Sequence, residues 1–465
     1  MVMSETTSPS TATAAADGQP ELKRAIGPKL LLFFVIGDIL GTGVYALMGD
    51  VAGQVGGALW VPFLIAFVVA FLTAFSYLEL VGKYPKAAGA ALYTNRAFRK
   101  PFFTFMIAFA VMCSGITSAS SAAVAFGGTY LKEFVQTPAP WVAIGFIALL
   151  AFINFRGVGE SVKANVVLTI IELSGLVIIV AIGVIAIANG QGDPGRLVEF
   201  NTANQSTLIA ITSATSLAFF AMVGFEDSVN MAEECKDPVK IFPRSMLLGM
   251  AVAGSIYVMV AVTSSLLIPA AGLKAAGSGA LLEVVKVGAP GFPLALFSFI
   301  GLFAVANSAL INMLMASRLV YGMANEKIIP MPFARVHQTR RTPWIAIGFT
   351  SIIAVFLVAF VPLKDLGGTT ALLLLIVFTV VNIACLVLRK EKAEHKHFKA
   401  PTIVPVIGAI TCAYLALPFT GRAPQQYVLA GILLGIGLLL WLVNWFFFRR
   451  KQHLKAEFDA TALTK

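Results

Sequence analysis

Twelve long apolar runs, separated by short polar connections, are the feature that most constrains how this chain folds. They approach or exceed the roughly 20 residues that an α-helix needs to cross the hydrocarbon core of a bilayer. Such runs are too long for the strands of a membrane barrel. The sequence therefore predicts an all-α integral membrane protein with twelve transmembrane helices. The runs, numbered here as spans 1 to 12, lie at about residues 30–48, 57–80, 102–131, 141–157, 162–189, 206–234, 246–270, 292–323, 342–361, 368–388, 403–420 and 427–448.

Composition and charge placement favour the same class of protein. Of the 465 residues, 58% are hydrophobic and 12% are charged, which is more apolar surface than a soluble fold of this length can bury. If the spans alternate across the membrane from an internal N-terminus, 28 of the 34 Lys and Arg fall on the inner side. This positive-inside bias predicts a multi-pass protein of the cell membrane with both termini cytoplasmic. It also explains the net charge of +11 without nucleic acid as a partner.

Two of the spans are interrupted by glycine at corresponding places. Gly41, Thr42 and Gly43 lie in the middle of span 1, and the segment 221–224 lies in the middle of span 6. The offset is about 180 residues, or five spans, and an odd number of spans per repeat inverts the second copy in the membrane. The paired breaks therefore indicate a five-plus-five inverted-repeat transporter whose substrate binds at the breaks.

The repeats divide the chain into segments. Residues 1–28 are polar and rich in Ser, Thr and Ala up to residue 20, which predicts a disordered cytoplasmic tail. We expect the first repeat at 29–190, the second at 205–388, spans 11 and 12 at 403–448, and a cytoplasmic tail at 449–465. The longest polar connections are predicted at about 190–206, 271–291, 324–341 and 389–402.

The residues at the breaks suggest how a zwitterion could bind. The freed amides of residues 41–43 would cap the following half-helix and face an anion such as a carboxylate. Carbonyl groups released near Phe220, Ala221 and Val223 would accept hydrogen bonds from an ammonium group. Phe220 or Phe225 could close over the ligand as a gate. The alternative for the glycines is close packing of helices through small residues.

Three acidic residues inside the predicted spans are candidates for ion coupling, because carboxylates are expensive within a membrane. Asp38, three residues before Gly41, could bind a cation or the ligand's amine, or could stabilise the unwound turn by a hydrogen bond. Glu226 could carry a proton or hold the bend of span 6. Glu172 in span 5 could carry a proton, ligate sodium, or make a structural hydrogen bond to span 1.

Four further stretches of sequence occur in a characteristic order. They are GTGVYALMG from residue 41, PKAAGAALY from 85, FFAMVGFED followed by AEECKDPVKIFPRS from 219, and SRLVYGMANEKIIP from 317. Together they resemble the amino acid–polyamine–organocation (APC) superfamily, and most of all the bacterial relatives of cationic amino acid transporters. The resemblance implies the LeuT-type fold. It also implies that the ligand's carboxylate meets residues 41–43, that its amine meets the carbonyls of Ile39, Phe220 and Val223, and that Phe220 takes the place of the gating aromatic.

One position departs from the pattern of the family. Several proton-coupled relatives have Lys where this chain has Glu172, so the mechanism of that Lys does not transfer. A carboxyl group at this place could still bind either ion. We favour the proton over sodium as the coupling ion, since a carboxyl group removed from water holds a proton readily.

The sequence therefore predicts a secondary active amino acid permease that works by alternating access. The alternatives are a carrier of polyamines or other organic amines, an amino acid exchanger and, outside transport, a transporter-like nutrient sensor. An enzyme is not expected, because the sequence has neither a GxxxxGK[ST] loop nor an HExxH motif. The four histidines fall in predicted loops or the tail, so neither a cofactor nor a metal site is expected.

Overall fold

The computed structural model describes residues 24, 26–86, 89–136, 138–156, 162–201, 205–326, 328–340, 342–393 and 395–448. The regular structure in this part of the chain is helical, apart from one backbone bridge, which confirms the predicted all-α class. The α-helices are α1 Pro28–Ile39, α2 Thr42–Val55, α3 Trp60–Lys83, α4 Gly89–Phe98, α5 Pro101–Ala125, α6 Ala139–Arg156, α7 Val162–Ala188, α8 Thr207–Ala218, α9 Phe225–Val229, α10 Pro238–Leu267, α11 Ala270–Ala276, α12 Ala280–Gly288, α13 Leu294–Asn325, α14 Trp344–Phe360, α15 Leu363–Leu388, α16 Ile403–Ala416 and α17 Pro424–Phe448.

Helices lie at all twelve apolar runs. In the described residues, ten helical segments are long and apolar enough to cross a membrane, and α14 and α16 are shorter apolar helices. The outer surface of the bundle is apolar too, with large side chains such as Trp141, Ile352 and Phe360 more than 70% exposed. Lipid rather than water suits such a surface. The chain is therefore a multi-pass membrane protein, while the count of twelve spans stays a prediction.

Both predicted breaks are present. In span 1, α1 ends at Ile39 and α2 begins at Thr42. In span 6, α8 is followed by a tight 3₁₀ turn, Phe219–Met222, and α9 begins only at Phe225. Gly224 between them has a φ of 118°, a backbone conformation that side chains of L-residues rarely adopt. The glycine is thus required by the geometry of the second break.

The two breaks touch each other directly. A Cβ atom added to Gly43 would overlap with Cα of Ala221 and lie 2.9 Å from its backbone nitrogen. A Cβ atom added to Gly224 would lie 2.5 Å from the carbonyl oxygen of Asp38. Close packing, which was the alternative explanation for the glycines, is therefore present at both breaks. It brings the two interrupted backbones side by side.

The predicted polar connection at 271–291 contains two helices, α11 and α12, which the sequence analysis did not predict. In α12, Leu281, Val284 and Val285 are buried, whereas Glu283 and Lys286 face outward and form an ion pair. This spacing is that of an amphipathic helix too short to appear as an apolar run.

The predicted N-terminal tail also ends earlier than residue 28. Ile26 is 2% exposed, its N–H donates to the carbonyl of Glu234, and its carbonyl accepts from the N–H of Lys236, both at 3.0 Å. Its apolar side chain and backbone find partners in the segment that follows α9. The prediction of disorder for residues 1–23 and 25 concerns residues outside the described part of the chain.

A buried ion pair joins the ends of α3 and α15. The carboxylate of Glu79 accepts two hydrogen bonds from the guanidinium of Arg389, at 2.8 and 2.6 Å, and one from the N–H of Ala400 at 2.9 Å. The side chains of Glu79 and Arg389 are 5% and 14% exposed. Arg389 also donates to the carbonyl of Ala400. We call this group the Glu79 clamp, since it fixes one end of the bundle.

Candidate functional site

A cleft lies where the two breaks meet. α5, α13 and α15 complete its walls. The residues at the breaks that line it are Asp38, Ile39, Gly41, Thr42, Gly43, Phe220, Val223, Gly224, Glu226 and Asp227.

One wall of the cleft presents hydrogen-bond donors. The first amides of α2 have no partner within the helix, and the helix N-terminus carries partial positive charge. The hydroxyl of Thr42 is buried in this wall, and no described residue makes a hydrogen bond to it. An anionic group of a ligand would satisfy both the amides and the hydroxyl.

A neighbouring part of the wall presents acceptors. The 3₁₀ turn Phe219–Met222 ends at the cleft, and the last carbonyls of a helix lack partners within it. Val223 then continues in an extended conformation. The carbonyl of Ile39, which the resemblance assigns to the ligand's amine, already accepts from the hydroxyl of Tyr257 at 2.5 Å. A carbonyl oxygen has two lone pairs, so one remains for a ligand.

Three carboxyl groups line the same cleft. Glu226 accepts from the N–H of Gly224 at 2.8 Å, so it holds the bend, as one of its two predicted roles requires. Oδ2 of Asp38 is buried and has no hydrogen-bond partner among the described residues. Asp227 also lines the cleft, although it was not predicted as a site residue. None of the described lining residues is a Lys, Arg or His.

Glu172 lies away from the cleft. It is fully buried in α7, and its carboxyl oxygens have no hydrogen-bond partner in the described part of the chain. Its contact with span 1 is made by its backbone, whose carbonyl accepts from the hydroxyl of Tyr45 at 2.6 Å. A hydrogen bond between Glu172 and span 1 is present, but the carboxyl group, for which the structural role was predicted, does not make it.

Two other predicted residues do not line the cleft. The ring of Phe225 packs against Tyr77 and Phe378, with centroid distances of 5.7 and 5.3 Å, so it faces the core of the bundle. A gate at Phe225 has no support from this placement. Ala221 lies against Gly43 instead of facing the free space. Phe220 does line the cleft.

Polar side chains of α13 and α15 were missed by the sequence analysis. Ser308 abuts the first break, where a Cβ atom on Gly41 would lie 2.9 Å from its hydroxyl oxygen. Asn312 stands one turn further along α13 and donates to the carbonyl of Ser308 at 2.9 Å. Thr370 of α15 also reaches the cleft. Two polar residues four apart in an apolar helix share a face, and this spacing in span 8 was the available signal.

Comparison with known proteins assigns the family. A model of the amino acid permease family matches residues 26–444. The chain belongs to this family, which confirms the predicted membership of the APC superfamily, and it is a transporter rather than an enzyme.

Three relatives illustrate the range of the similarity. The branched-chain amino acid permease BcaP of Bacillus subtilis is 24% identical, over 94% of this chain and 96% of that protein. The methylthioribose transporter of Bacillus subtilis is 26% identical, over 95% and 96%. The human cationic amino acid transporter 4 is 25% identical, over 81% of this chain and 61% of that protein.

Proposed function

We propose that this protein is a secondary active amino acid permease of the cell membrane, with twelve spans, a five-plus-five inverted repeat and cytoplasmic termini. The observation that carries the proposal is the cleft at the breaks, which is lined both by the first residues of α2 and by residues at the end of the 3₁₀ turn. An amino acid has a carboxylate and an ammonium on one carbon, and these two parts of the lining complement the two groups.

In the proposed binding mode, the substrate carboxylate lies at the amides of residues 41–43 and at the hydroxyl of Thr42. The ammonium lies at the carbonyls of Phe220 and Val223 and at the remaining lone pair of Ile39. Asp38 adds negative charge beside the ammonium. Phe220 closes over the bound substrate, and rearrangement of the broken helices exposes the cleft to the two sides of the membrane in turn.

Counterflow in liposomes tests this proposal. Purified protein is reconstituted into liposomes. Each batch of liposomes is loaded with one unlabelled amino acid of the panel, and the same amino acid is supplied outside in labelled form. At least one amino acid is expected to accumulate, and its carboxamide is expected to compete poorly, because an amide lacks the anion for residues 41–43. Equal competition by acid and amide would remove the basis of this binding mode. Binding without counterflow would favour a nutrient sensor.

A carrier of organic amines is the second candidate. It is favoured by the carboxyl groups of Asp38, Glu226 and Asp227, which line a cleft without described cationic side chains. The counterflow panel therefore includes a polyamine and an amine without a carboxylate. Methylthioribose is added because one relative is named for its transport. Accumulation of amines alone would establish this candidate in place of the first.

Replacement of Phe220 by alanine is expected to weaken substrate binding by about 1–3 kcal/mol, or roughly 5–150-fold in Kd, the usual effect of losing a buried aromatic contact. Phe220→Trp should be tolerated better, since it keeps an aromatic surface over the ligand. The measurement is equilibrium binding of the substrate identified by counterflow. Phe356→Ala is the matched control, because its ring is 62% exposed on the outer surface. Unchanged affinity in Phe220→Ala would contradict the gate.

Proton coupling makes a separate prediction. Uptake is expected to rise with an inward proton gradient, to need no sodium, and to lose its dependence on pH in Glu172→Gln or Glu226→Gln. The reason is that a glutamine cannot take up and release the proton. Proteoliposomes with the two ion gradients imposed separately provide the measurement. Glu283→Gln is the control, since Glu283 forms only a surface ion pair with Lys286.

Two results would decide against the proton. Strict dependence on sodium, weakened in Glu172→Gln, would identify Glu172 as a sodium ligand. Uptake that responds to neither gradient would identify an exchanger.

A further inference from the structure

A buried arginine lies in the connection between α16 and α17. Arg422 is 6% exposed, although its place in the sequence predicts a polar loop. Among the described residues, its guanidinium bonds to neutral oxygen atoms. The acceptors are the carbonyl of Gly368 at 2.7 Å, Oε1 of Gln426 at 2.9 Å, the carbonyl of Ser216 at 3.2 Å and the carbonyl of Leu415 at 3.4 Å.

The charge of Arg422 has no carboxylate partner. Within the described residues, no ion pair includes it. Burial lowers the pKa of the guanidinium to about 10, so the group is still charged at neutral pH. A buried charge is costly unless dipoles surround it. Ser216 lies in the last turn of α8, where the carbonyls carry partial negative charge that favours a cation.

The acceptors of Arg422 adjoin the proposed gate on two sides. Ser216 precedes Phe220 by one helical turn in the broken span. The ring of Phe220 packs against Gly367, because a Cβ atom added to Gly367 would lie 3.4 Å from Cδ1 of that ring. Gly368, whose carbonyl accepts from Arg422, is the next residue. One guanidinium therefore holds both the helix that bears the ring and the helix on which the ring rests.

The connection around Arg422 docks on α8 by further bonds. The hydroxyl of Thr212 donates to the carbonyl of Thr420 at 3.0 Å, and the hydroxyl of Ser216 donates to that of Leu415 at 3.2 Å. These bonds join the connection and the end of α16 to α8. Among the hydrogen bonds of the described residues, the one from Arg422 to Gly368 joins the connection to α15.

We propose that Arg422 is a positioning residue for transport: it joins the end of α8 to the beginning of α15 and thereby holds Phe220 in place over the cleft. Separation of these two helices breaks at least one of its hydrogen bonds. Spans 11 and 12, which lie outside the proposed repeats, thus contribute to the movement of the gate. The inference rests on the gate role proposed for Phe220.

Cysteine labelling tests this without substrate. Leu47 is 2% exposed. It packs beside Phe220 on Gly367, because a Cβ atom added to Gly367 would lie 2.5 Å from Cδ1 of Leu47. Leu47→Cys is made in a background without the four native cysteines, and its reaction with a hydrophilic maleimide is timed in reconstituted protein. Arg422→Gln is expected to speed labelling about tenfold or more, the change expected from losing a charged hydrogen bond. Arg422→Lys should give an intermediate rate.

Two controls separate positioning from docking. The first control is Arg196→Gln. Arg196 also donates to a backbone carbonyl, that of Leu266 at 3.2 Å, but in a different part of the bundle. Its replacement should leave the labelling rate unchanged. Thr212→Val removes a bond of the same connection without touching Arg422, and should also leave it unchanged. An equal acceleration in Thr212→Val would overturn the proposal, because docking alone would then explain it.

Transport gives a second readout. Arg422→Gln should lower the maximal rate of counterflow more than it changes Kd. Labelling as slow as in the parent would overturn the proposal whatever the transport result. If Arg422→Gln is not recovered in folded form, labelling is compared between the parent and Arg422→Lys. A labelling rate equal to that of the parent would overturn the proposal, and a faster rate would support it. Because labelling needs no substrate, its outcome is distinct from failure of the proposed permease function.

Discussion

Gly43→Ala is expected to abolish uptake while the protein still inserts in the membrane. The added methyl group would overlap with Cα of Ala221 and lie 2.9 Å from its backbone nitrogen, and a backbone cannot move aside as a flexible side chain can. Relief requires the two breaks to separate, which disrupts the cleft that they line together. The larger Gly43→Leu should fail as well, since its side chain would also obstruct the amides. Uptake is measured in proteoliposomes at matched protein content.

The matched controls for Gly43 are glycines of membrane helices with open surroundings. A Cβ atom on Gly348 of α14 or Gly435 of α17 would meet no other atom within 4 Å. Alanine favours a helix by up to about 1 kcal/mol over glycine, so both variants should keep full uptake. Normal uptake in Gly43→Ala would show that the contact between the breaks is dispensable.

Loss of the Glu79 clamp is expected to have the largest effect on stability. Glu79→Ala should lower the free energy of unfolding by about 3–5 kcal/mol, because it leaves the guanidinium of Arg389 and the N–H of Ala400 without their buried acceptor. The lower end of this range is expected, since the side chain of Arg389 is 14% exposed. Unfolding in detergent micelles, followed by circular dichroism, gives the measurement.

A double variant and a surface pair complete the design. Glu79→Met combined with Arg389→Met should recover most of the stability, because no charge is then left unpaired. Glu283→Ala breaks an exposed ion pair of 3.5 Å and should change stability by no more than about 1 kcal/mol. If Glu79→Ala is no more harmful than Glu283→Ala, the clamp is not important for stability.

The sequence predicted the helical class and both breaks because these depend on local properties. Apolar length shows which segments can cross a bilayer. Gly41, Gly43 and Gly224 mark where a helix is weakest. α12 was missed since its four buried residues occupy one side of a nine-residue helix, which is too short to form an apolar run.

The candidate site was predicted less completely, since its remaining parts depend on which helices meet. Nothing in span 1 shows that Gly43 faces Ala221, so one pattern fitted both a binding site and a packing contact. Phe220 and Phe225 are equally plausible gates in the sequence. Only the rotation of the chain at Gly224 turns one ring to the cleft and the other to the core. Arg422 belongs to a connection that hydropathy describes as surface, and tertiary docking buries it.

The short bridge at Ile26 has a mechanical consequence. It pairs the residue just before α1 with the segment just after α9, through two backbone hydrogen bonds of 3.0 Å. Neither half-helix can swing outward at this end without the other unless both bonds break. We therefore expect α1 and α9 to move together at this end, so that a displacement of either helix is passed to the other through the backbone and not through the substrate.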